Sequence, residues 1–379
     1  MAQIKHILLV CGEASGDLNA AGLVREILRL NPCIRISAVG GARLKEAGAQ
    51  VFYDIEGLSV IGLFDALKKL TQFLSLQKLI LEKIKEEKPD ALILVDFSGF
   101  NLRLAKKVNK SLPVLYYTSP QVWASRPGRL KTIKKYIDKM IVLFKFEEEF
   151  YRKYGTEAVF AGHPLLDIVK PTMEKPAFLR HYAFSDSKKT IPLLPGSRIQ
   201  EVKNILPVML KAALIIQKDM GNVQFVIAKS PQVPWSIYNR LIHGLDLDLV
   251  TIEDKTYDCM NIADFCLVAS GTATLETAIM EKPFVIIYKM NLLNYLLYRR
   301  QVKLPCIGIV NIVAQRRIIP ELIQFNATPQ KIAKASLQIL HDASRVQQMK
   351  NDLVLVKSFL GENGASLRAA HLILDFLSK

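Results

Sequence analysis

The 379-residue chain has no uninterrupted run of the roughly 18–20 apolar residues that a membrane-spanning helix needs. Its five cysteines include no CxxC pair, so the sequence indicates neither a zinc site nor a disulfide framework. The GxxxxGK[ST] pattern of P-loop NTPases is also absent. The apolar stretch 7–10 is too short for the core of a signal peptide. We therefore expect a cytoplasmic protein.

Charge of one sign is abundant. The chain carries 51 Lys and Arg against 35 Asp and Glu, a formal net charge of +16. Such a field favours polyanions, namely nucleic acid, an anionic membrane face or phosphorylated substrates. No nucleic-acid-binding motif occurs, and the positive charge is dispersed along the chain rather than gathered on one element. We expect no nucleic-acid partner and keep a basic nucleic-acid-binding protein only as the alternative from another class.

Short apolar strand signals alternate with helical segments, and the pattern restarts halfway along the chain. The predicted strands are 5–11, 35–40, 91–95, 114–117 and 140–144, then 191–196, 224–228, 265–269 and 284–288. Wholly apolar strands of this length are typical of a parallel sheet covered on both faces. The sequence predicts an α/β protein with two Rossmann-like, doubly wound domains facing each other across a cleft. We place them at 1–168 and 169–379, with a last helix that can return to the first domain.

The segment LLPGSRIQEV (193–202) predicts an anion site. A strand ends at a Pro-Gly turn, and Ser197 stands where a helix N-cap belongs, with Gln200 at capping-box spacing. Free N–H groups and the helix dipole attract an anion there, and Arg198 adds a forked cation for a diphosphate. The alternative is an ordinary helix start without a ligand.

A second strand-turn-helix segment, VASGTATLETA (268–278), repeats this design. The small residues Ser270, Gly271 and Thr272 let phosphates approach the backbone. Glu276 follows one turn into the helix, where a carboxylate can accept hydrogen bonds from ribose hydroxyls. Ser-Gly-Thr turns are common, so the prediction of a nucleotide diphosphate depends on the two loops together.

The loop CGEASGD (11–17) differs from both, since it lacks GxGxxG spacing and carries Glu13 and Asp17. Two carboxylates would repel a pyrophosphate, so the loop suits sugar hydroxyls or a proton. Asp17 as the cap of the following helix is the structural alternative.

Asp96 comes directly after the apolar strand 91–95, at the strand end where open α/β sheets bind ligands. Partial desolvation there would raise the pKa of the carboxyl group toward the range of a general base. Asn101 can orient this carboxylate or a substrate hydroxyl. The alternative is that Asp96 only caps a turn.

Two further residues follow later strands. Trp123, one of two tryptophans, can stack on a sugar face or belong to the core. His163 can donate to a phosphate or act as a base, and a purely structural histidine at the domain seam is the alternative.

Together these segments resemble a known family. GEASGD, DFSGFN, SPQVWA, GHPL, LPGSR with Glu201, SGTATLE and NIVAQRRIIPELIQ (311–324) occur in the order and spacing of the lipid A disaccharide synthases. The resemblance covers nearly the whole chain and implies an inverting glycosyltransferase with the GT-B fold. It implies transfer of a diacylglucosamine unit from UDP-2,3-diacylglucosamine to 2,3-diacylglucosamine 1-phosphate. The products are a β-1,6-linked disaccharide 1-phosphate and UDP.

The resemblance also implies roles for the two domains, with the acceptor in the first and the UDP-sugar in the second. Asp96 becomes the expected base and Glu13 the next candidate. The UDP-sugar set is Gly196, Ser197, Arg198, Glu201, Ser270, Gly271, Thr272, Glu276 and Asn311. The acceptor set is Gly16, Asp17, Asn101, Trp123 and His163. We expect no cofactor and no metal, because no DxD-like carboxylate pair occurs where Mg²⁺ would be held.

Three positions depart from the family pattern. Ser125 stands where many relatives have an aromatic residue, Ser98 where proline is common, and Gln315 where a glycine is usual. None removes an ionisable group of the predicted site, but Gln315 changes the backbone requirements of the C-terminal loop.

Acylated substrates must be collected from a membrane, so we expect peripheral contact with the inner membrane. The segment 58–80 is apolar at helical spacing and carries three lysines, as an interfacial helix does, although such segments commonly pack in a core. A cationic run can face anionic headgroups or the acceptor phosphate, or be a solvated helix face: Arg126, Arg129, Lys131, Lys134, Lys135 and Lys139. The family allows a homodimer formed through the C-terminal region. Another GT-B UDP-sugar transferase and a UDP-sugar 2-epimerase are the alternatives among enzymes.

Overall fold

The structure, a computed structural model, describes residues 5–55, 70–124, 127–291 and 306–378. The described residues form two compact units. The first takes in the chain up to Asp167 and again from Leu360 onward, and the second runs from Ile168 to Phe359. The first unit therefore contains the last helix of the chain.

The first unit is built on a seven-stranded parallel sheet. Its strands are β1 (His6–Val10), β2 (Arg35–Gly40), β3 (Gln50–Asp54), β4 (Ala91–Val95), β5 (Val114–Tyr117), β6 (Lys139–Val142) and β7 (Ala158–Phe160). Its helices are α1 (Ala14–Leu30), α2 (Ala42–Glu46), α3 (Leu70–Glu87), α4 (Ser98–Val108), α5 (Arg129–Tyr136) and α6 (Lys145–Lys153). A short helix, α7 (Leu165–Ile168), lies where the chain passes from the first unit into the second. The strand order is β3-β2-β1-β4-β5-β6-β7, so the winding reverses between β1 and β4.

Wholly apolar strands form the centre of this sheet. Every residue of β1, β4 and β5 is buried, which requires cover on both faces and explains their lack of apolar-polar alternation. The helix at the C-terminus, Ala365–Leu377, packs against α1. Gly22 of α1 allows this contact, because a Cβ there would lie 2.8 Å from the Ser366 hydroxyl oxygen.

The second unit is built on a six-stranded parallel sheet. Its strands are β8 (Lys189–Leu194), β9 (Val223–Lys229), β10 (Leu249–Glu253), β11 (Cys266–Ala269), β12 (Phe284–Tyr288) and β13 (Glu321–Ile323). Its helices are α8 (Lys175–His181), α9 (Ile199–Met220), α10 (Trp235–Ile242), α11 (Thr256–Asn261), α12 (Thr272–Ile279), α13 (Ile309–Val313), α14 (Pro329–Leu340) and α15 (Ala343–Phe359), with α16 (Ala365–Leu377) following in the first unit. The order is β10-β9-β8-β11-β12-β13, so the reversal lies between β8 and β11.

The prediction of doubly wound α/β architecture is confirmed for both units, but the sequence missed four strands. They are β3, β7, β10 and β13, the two edges of each sheet. The apolar segment 58–80 lies outside the described residues up to position 69, and the rest of it begins α3. Among the described helices, none combines the length and apolar character needed to cross a membrane.

Candidate functional site

The first unit brings two acidic turns together where its winding reverses. β1 and β4 are neighbours in the sheet, so the loops that follow them meet at the same edge. Glu13, in the first loop, is the N-cap residue of α1, and Asp96 directly follows β4. Both are half-buried. Ligands of open α/β sheets bind at this type of switch point.

The turn at Asp96 has a strained backbone. Asp96 and Phe97 both have positive φ angles, 49° and 45°, which residues other than glycine rarely adopt. The Asp96 carbonyl oxygen accepts hydrogen bonds from the Tyr116 hydroxyl and, at 2.9 Å, from the Asn101 amide nitrogen. Asn101 also donates to the Val95 carbonyl at 3.2 Å. These contacts over-determine the turn, as expected where backbone strain is retained at a functional site.

The pKa of the Asp96 carboxyl group is raised from 3.8 to about 7. Burial is the largest cause, the negative charge of Glu13 is the second, and a hydrogen bond from the Phe97 backbone opposes both. A carboxyl group poised near neutral pH can accept a proton and release it again, which is the requirement for a general base.

Neighbouring small residues allow this packing. Gly12 has no room for a side chain, since a Cβ would lie 2.3 Å from the Phe97 ring. Gly16, in the first turn of α1, also adjoins Asp96, although a Cβ there would make only an ordinary van der Waals contact, 3.6 Å from the Asp96 Cβ.

Asp17 has a different structural role from the predicted alternative of capping α1. Its carboxylate is buried and accepts hydrogen bonds from the backbone N–H groups of Gly41, at 2.7 Å, and Arg43, at 3.2 Å. It therefore caps α2, a helix 25 residues further along the chain.

Trp123 is held by the buried carboxylate of Glu147, which was not predicted as a site residue. Glu147 of α6 accepts hydrogen bonds from the Trp123 indole N–H at 3.0 Å and the Ser119 hydroxyl at 2.7 Å. The Trp123 ring also meets Phe146 edge to face, with centroids 5.1 Å apart. The indole is half-buried and fixed in orientation.

His163 is enclosed in the first unit. Its ring is 6% exposed, and Nδ1 accepts the Leu165 backbone N–H at 3.2 Å. Burial lowers the pKa of the imidazole to about 3. The ring is therefore neutral at physiological pH and offers no positive charge to a phosphate.

In the second unit, the two predicted anion loops follow β8 and β11, the strands on either side of the switch point. The N-cap of α9 is Arg198 rather than the predicted Ser197. The side chain that completes the capping box is the carboxylate of Glu201 rather than the amide of Gln200. Glu201 accepts the backbone N–H groups of Ser197 at 3.2 Å and Arg198 at 3.4 Å. It also pairs with the Arg198 guanidinium at 3.0 Å. The helix starts one residue later because Glu201 supplies the reciprocal bond that Gln200 was expected to make.

Both loops depend on glycine. Gly196 has φ of 106°, and a Cβ there would lie 2.4 Å from a Glu201 carboxylate oxygen. Gly271, the N-cap of α12, has φ 156° and ψ −159°, a region open essentially to glycine alone. Ser197, Arg198, Gly271 and Thr272 are exposed and Ser270 is half-buried, so both loops lie at the surface of the unit.

Glu276 lies on α12 and is half-buried. Its carboxylate accepts a hydrogen bond from the Tyr257 hydroxyl at 3.1 Å. Asn311, by contrast, is 1% exposed and fully hydrogen-bonded within the protein. Its amide nitrogen donates to the Ile319 carbonyl and to Glu321, and its oxygen accepts the N–H groups of residues 318 and 319. No donor or acceptor of the side chain remains for a ligand.

Within the described residues, no three His, Cys, Asp or Glu side chains are grouped closely enough to hold a metal ion. Three residues of these sites were not predicted from the sequence: Tyr116, Glu147 and Tyr257. Each of them acts through a contact distant in the chain, and no local motif signals such a contact.

Comparison with known proteins gives a family for this arrangement. The family described as lipid-A-disaccharide synthetase matches residues 7–373. A lipid-A-disaccharide synthase of Syntrophus aciditrophicus is 41% identical, covering 99% of this chain and 98% of the relative. One from Geobacter sulfurreducens is 38% identical with the same coverage.

Solved structures of more distant proteins have the same fold. The complex of Staphylococcus aureus MnaA with UDP superposes with a TM-score of 0.66 at 14% identity, covering 99% of this chain and 97% of that one. The calicheamicin glycosyltransferase CalG4 gives 0.61 at 16% identity, covering 100% and 99%. At such identities these structures establish the fold alone. The family match and the full-length relatives show more than the fold: the chain belongs to the lipid-A-disaccharide synthase family of glycosyltransferases.

Proposed function

We propose that the chain transfers diacylglucosamine from UDP-2,3-diacylglucosamine to the 6-hydroxyl of 2,3-diacylglucosamine 1-phosphate. The products are the β-1,6-linked disaccharide 1-phosphate and UDP. The chemistry of the two switch points supports this division of labour. One has carboxylates suited to a hydroxyl and its proton, and the other has the exposed residues Arg198, Gly271 and Thr272, suited to a diphosphate.

The proposed reaction is a single displacement. Asp96 takes the proton of the acceptor 6-hydroxyl while its oxygen attacks the anomeric carbon of the donor from the side opposite UDP. The bond between that carbon and the diphosphate oxygen breaks, and UDP leaves with the electron pair. Arg198 and the N–H groups of the loop at Gly271 stabilise the charge that develops on the diphosphate, since those of Ser197 and Arg198 already donate to Glu201.

The single observation that carries the proposal is the raised pKa of Asp96, about 7, at the switch point of the first sheet. A carboxylate whose pKa is raised toward 7 is a stronger proton acceptor than one with the ordinary pKa near 4 and is still largely ionised above pH 7. Glu13 contributes by its charge. We assign Glu276 to the ribose hydroxyls and Trp123 to a sugar face of the acceptor.

Three residues that we predicted to contact a ligand are assigned structural roles instead. Asp17 caps α2, Asn311 fixes the turn at residues 318 and 319, and His163 packs in the first unit. Asn101 acts through the backbone of Asp96. Each supports the site without touching a substrate.

We also propose peripheral contact with an anionic membrane surface, because both substrates carry acyl chains and the chain has a net charge of +16. Sedimentation with anionic and with zwitterionic vesicles at low salt tests this. Binding to the anionic vesicles alone is expected, and complete release from both would contradict it.

The test of function is incubation of the purified protein with both acylated substrates, followed by mass spectrometry for UDP and the disaccharide. Asp96→Asn should reduce turnover by roughly 10²–10⁴-fold, the usual contribution of a general base, while UDP still binds. Glu26→Gln on α1, whose carboxylate pairs with Arg29, is the matched control and should retain full activity. Full activity of Asp96→Asn would refute the assignment of the base.

Thermal melting separates loss of the base from misfolding. A carboxyl group whose pKa rises on folding destabilises the folded state increasingly between pH 3.8 and about 7, and by a constant amount above. Asp96→Asn removes this penalty, so its Tm should exceed that of the wild type at pH 8 and approach it near pH 4. A lower Tm at pH 8 would indicate a damaged fold.

A further inference from the structure

The hydrogen bond between Tyr257 and Glu276 connects two halves of the second sheet. Tyr257 lies in the first turn of α11, which directly follows β10 and packs on β8 and β9. Glu276 lies on α12, which directly follows β11. The winding reverses between β8 and β11. The 3.1 Å bond therefore joins elements from the two sides of the switch point at which we place the donor.

Both side chains are half-buried, so the bond is partly shielded from water. A hydroxyl that donates to a carboxylate forms a stronger bond than two neutral groups do. The Tyr257 hydroxyl donates to one of the two oxygens of the Glu276 carboxylate. The carboxylate is thereby held in one orientation before a ligand arrives.

We propose that Tyr257 is a positioning residue that orients Glu276 for recognition of the ribose hydroxyls of the uridine nucleotide. This inference rests on the proposed donor site in the second unit. A ligand that meets an already oriented carboxylate loses less side-chain entropy on binding than one that must order a mobile side chain. Loss of the tyrosine hydroxyl should therefore weaken recognition of the ribose and leave recognition of the phosphates unchanged.

The test is the affinity of Tyr257→Phe for UDP and for 2′-deoxyuridine diphosphate, measured by titration calorimetry. The wild type should prefer UDP, and the variant should bind UDP about three- to ten-fold more weakly. Its affinity for the deoxy nucleotide should fall by a smaller factor than its affinity for UDP, because that ligand keeps only the 3′-hydroxyl for Glu276. Tyr182→Phe, in the same unit, is the control and should change neither affinity.

A double-mutant cycle identifies the partner. Glu276→Gln should lose the preference for UDP, and adding Tyr257→Phe to it should cause no further loss, because both changes act on one contact. Additive losses would overturn the positioning role.

Equal weakening of both nucleotides by Tyr257→Phe would show a general structural effect and overturn the inference. Equal affinities of the wild type for both nucleotides would remove the ribose assignment of Glu276 and the inference with it. These measurements need neither the acylated acceptor nor turnover. Failure of the wild type to form the disaccharide would count against the proposed reaction alone.

Discussion

The two switch points have the same topology and opposite chemistry. In the first unit, the turn after β4 reaches positive φ with Asp96 and Phe97, residues for which this backbone is strained. In the second unit, the turns after β8 and β11 reach it with Gly196 and Gly271. Where the chemistry needs a side chain, the strained position keeps one. Where an anion must come close to the backbone, glycine removes the side chain.

Electrostatics follow the same division. In the first unit, burial and, second, the negative charge of Glu13 raise the pKa of the Asp96 carboxyl group, which costs stability and provides a base. In the second unit, the Glu201 carboxylate is matched by Arg198 and by backbone N–H groups. Identical sheet geometry can thus serve a proton acceptor or an anion site, and the loop residues decide which.

After Asp96→Asn, the largest expected effect is in the second unit. Arg198→Ala should lower kcat/KM by roughly 10²–10³-fold and weaken UDP binding, because the forked cation on the diphosphate is lost. Arg198→Lys keeps the charge without the fork and should fall between. Arg180→Ala, an exposed arginine of α8, is the control. Unchanged UDP affinity in Arg198→Ala would contradict the assignment.

A smaller effect, on the pH dependence of the rate, is expected from a change in the first unit. Glu13→Gln removes the charge that is the second cause of the raised pKa of Asp96, so that pKa should fall. Because the base works when ionised, the acid limb of the kcat/KM profile should move to lower pH. The rate at pH 6 relative to that at pH 8 should rise about two- to five-fold. Glu26→Gln should leave the profile in place, and an unmoved limb in Glu13→Gln would contradict the coupling.

The smallest effect concerns a positive φ outside both turns. Gln315, at the position where the family resemblance implies a glycine, has φ of 54° and an exposed side chain. Gln315→Gly relieves a strain of about 1–2 kcal/mol and adds about 0.5–1 kcal/mol of backbone entropy cost. A net gain of about 0–1.5 kcal/mol in the free energy of unfolding is expected from denaturant titration. The neighbouring Ala314→Gly, at φ −70°, should instead lose stability.

Whether a strand could be predicted from the sequence depends on how completely the strand is buried. The strands that the sequence revealed occupy the interior of the two sheets, where wholly apolar runs such as Ala91–Val95 are buried on both faces. The four that it missed are edges. β3 and β10 mix polar and half-buried residues, and β7 and β13 have only three residues each. An edge strand needs less apolar surface, so its local signal is weaker.

The site shows the same limit for hydrogen-bond partners. The local patterns located Asp96 and the glycine turns, because a strand end followed by a turn is a short-range feature. They did not reveal that Asp17 caps α2, that Glu201 caps α9, or that Tyr257 binds Glu276. The contacts of Asp17 and Tyr257 join residues 19–26 positions apart and depend on how the elements pack.

The sequence by itself determined the doubly wound class, the family and the loops that carry the chemistry, because these follow from short apolar runs and from glycine and carboxylate positions next to them. Only the tertiary structure decided which of the singled-out side chains are available. Burial keeps the His163 ring neutral, and the packing of Asn311 pairs every donor and acceptor of its side chain within the protein. Burial of Asp96 and the charge of Glu13, brought near by the meeting of two loops, raise the pKa of the Asp96 carboxyl group. Desolvation and charge proximity are properties of the packed chain, and no segment has them alone.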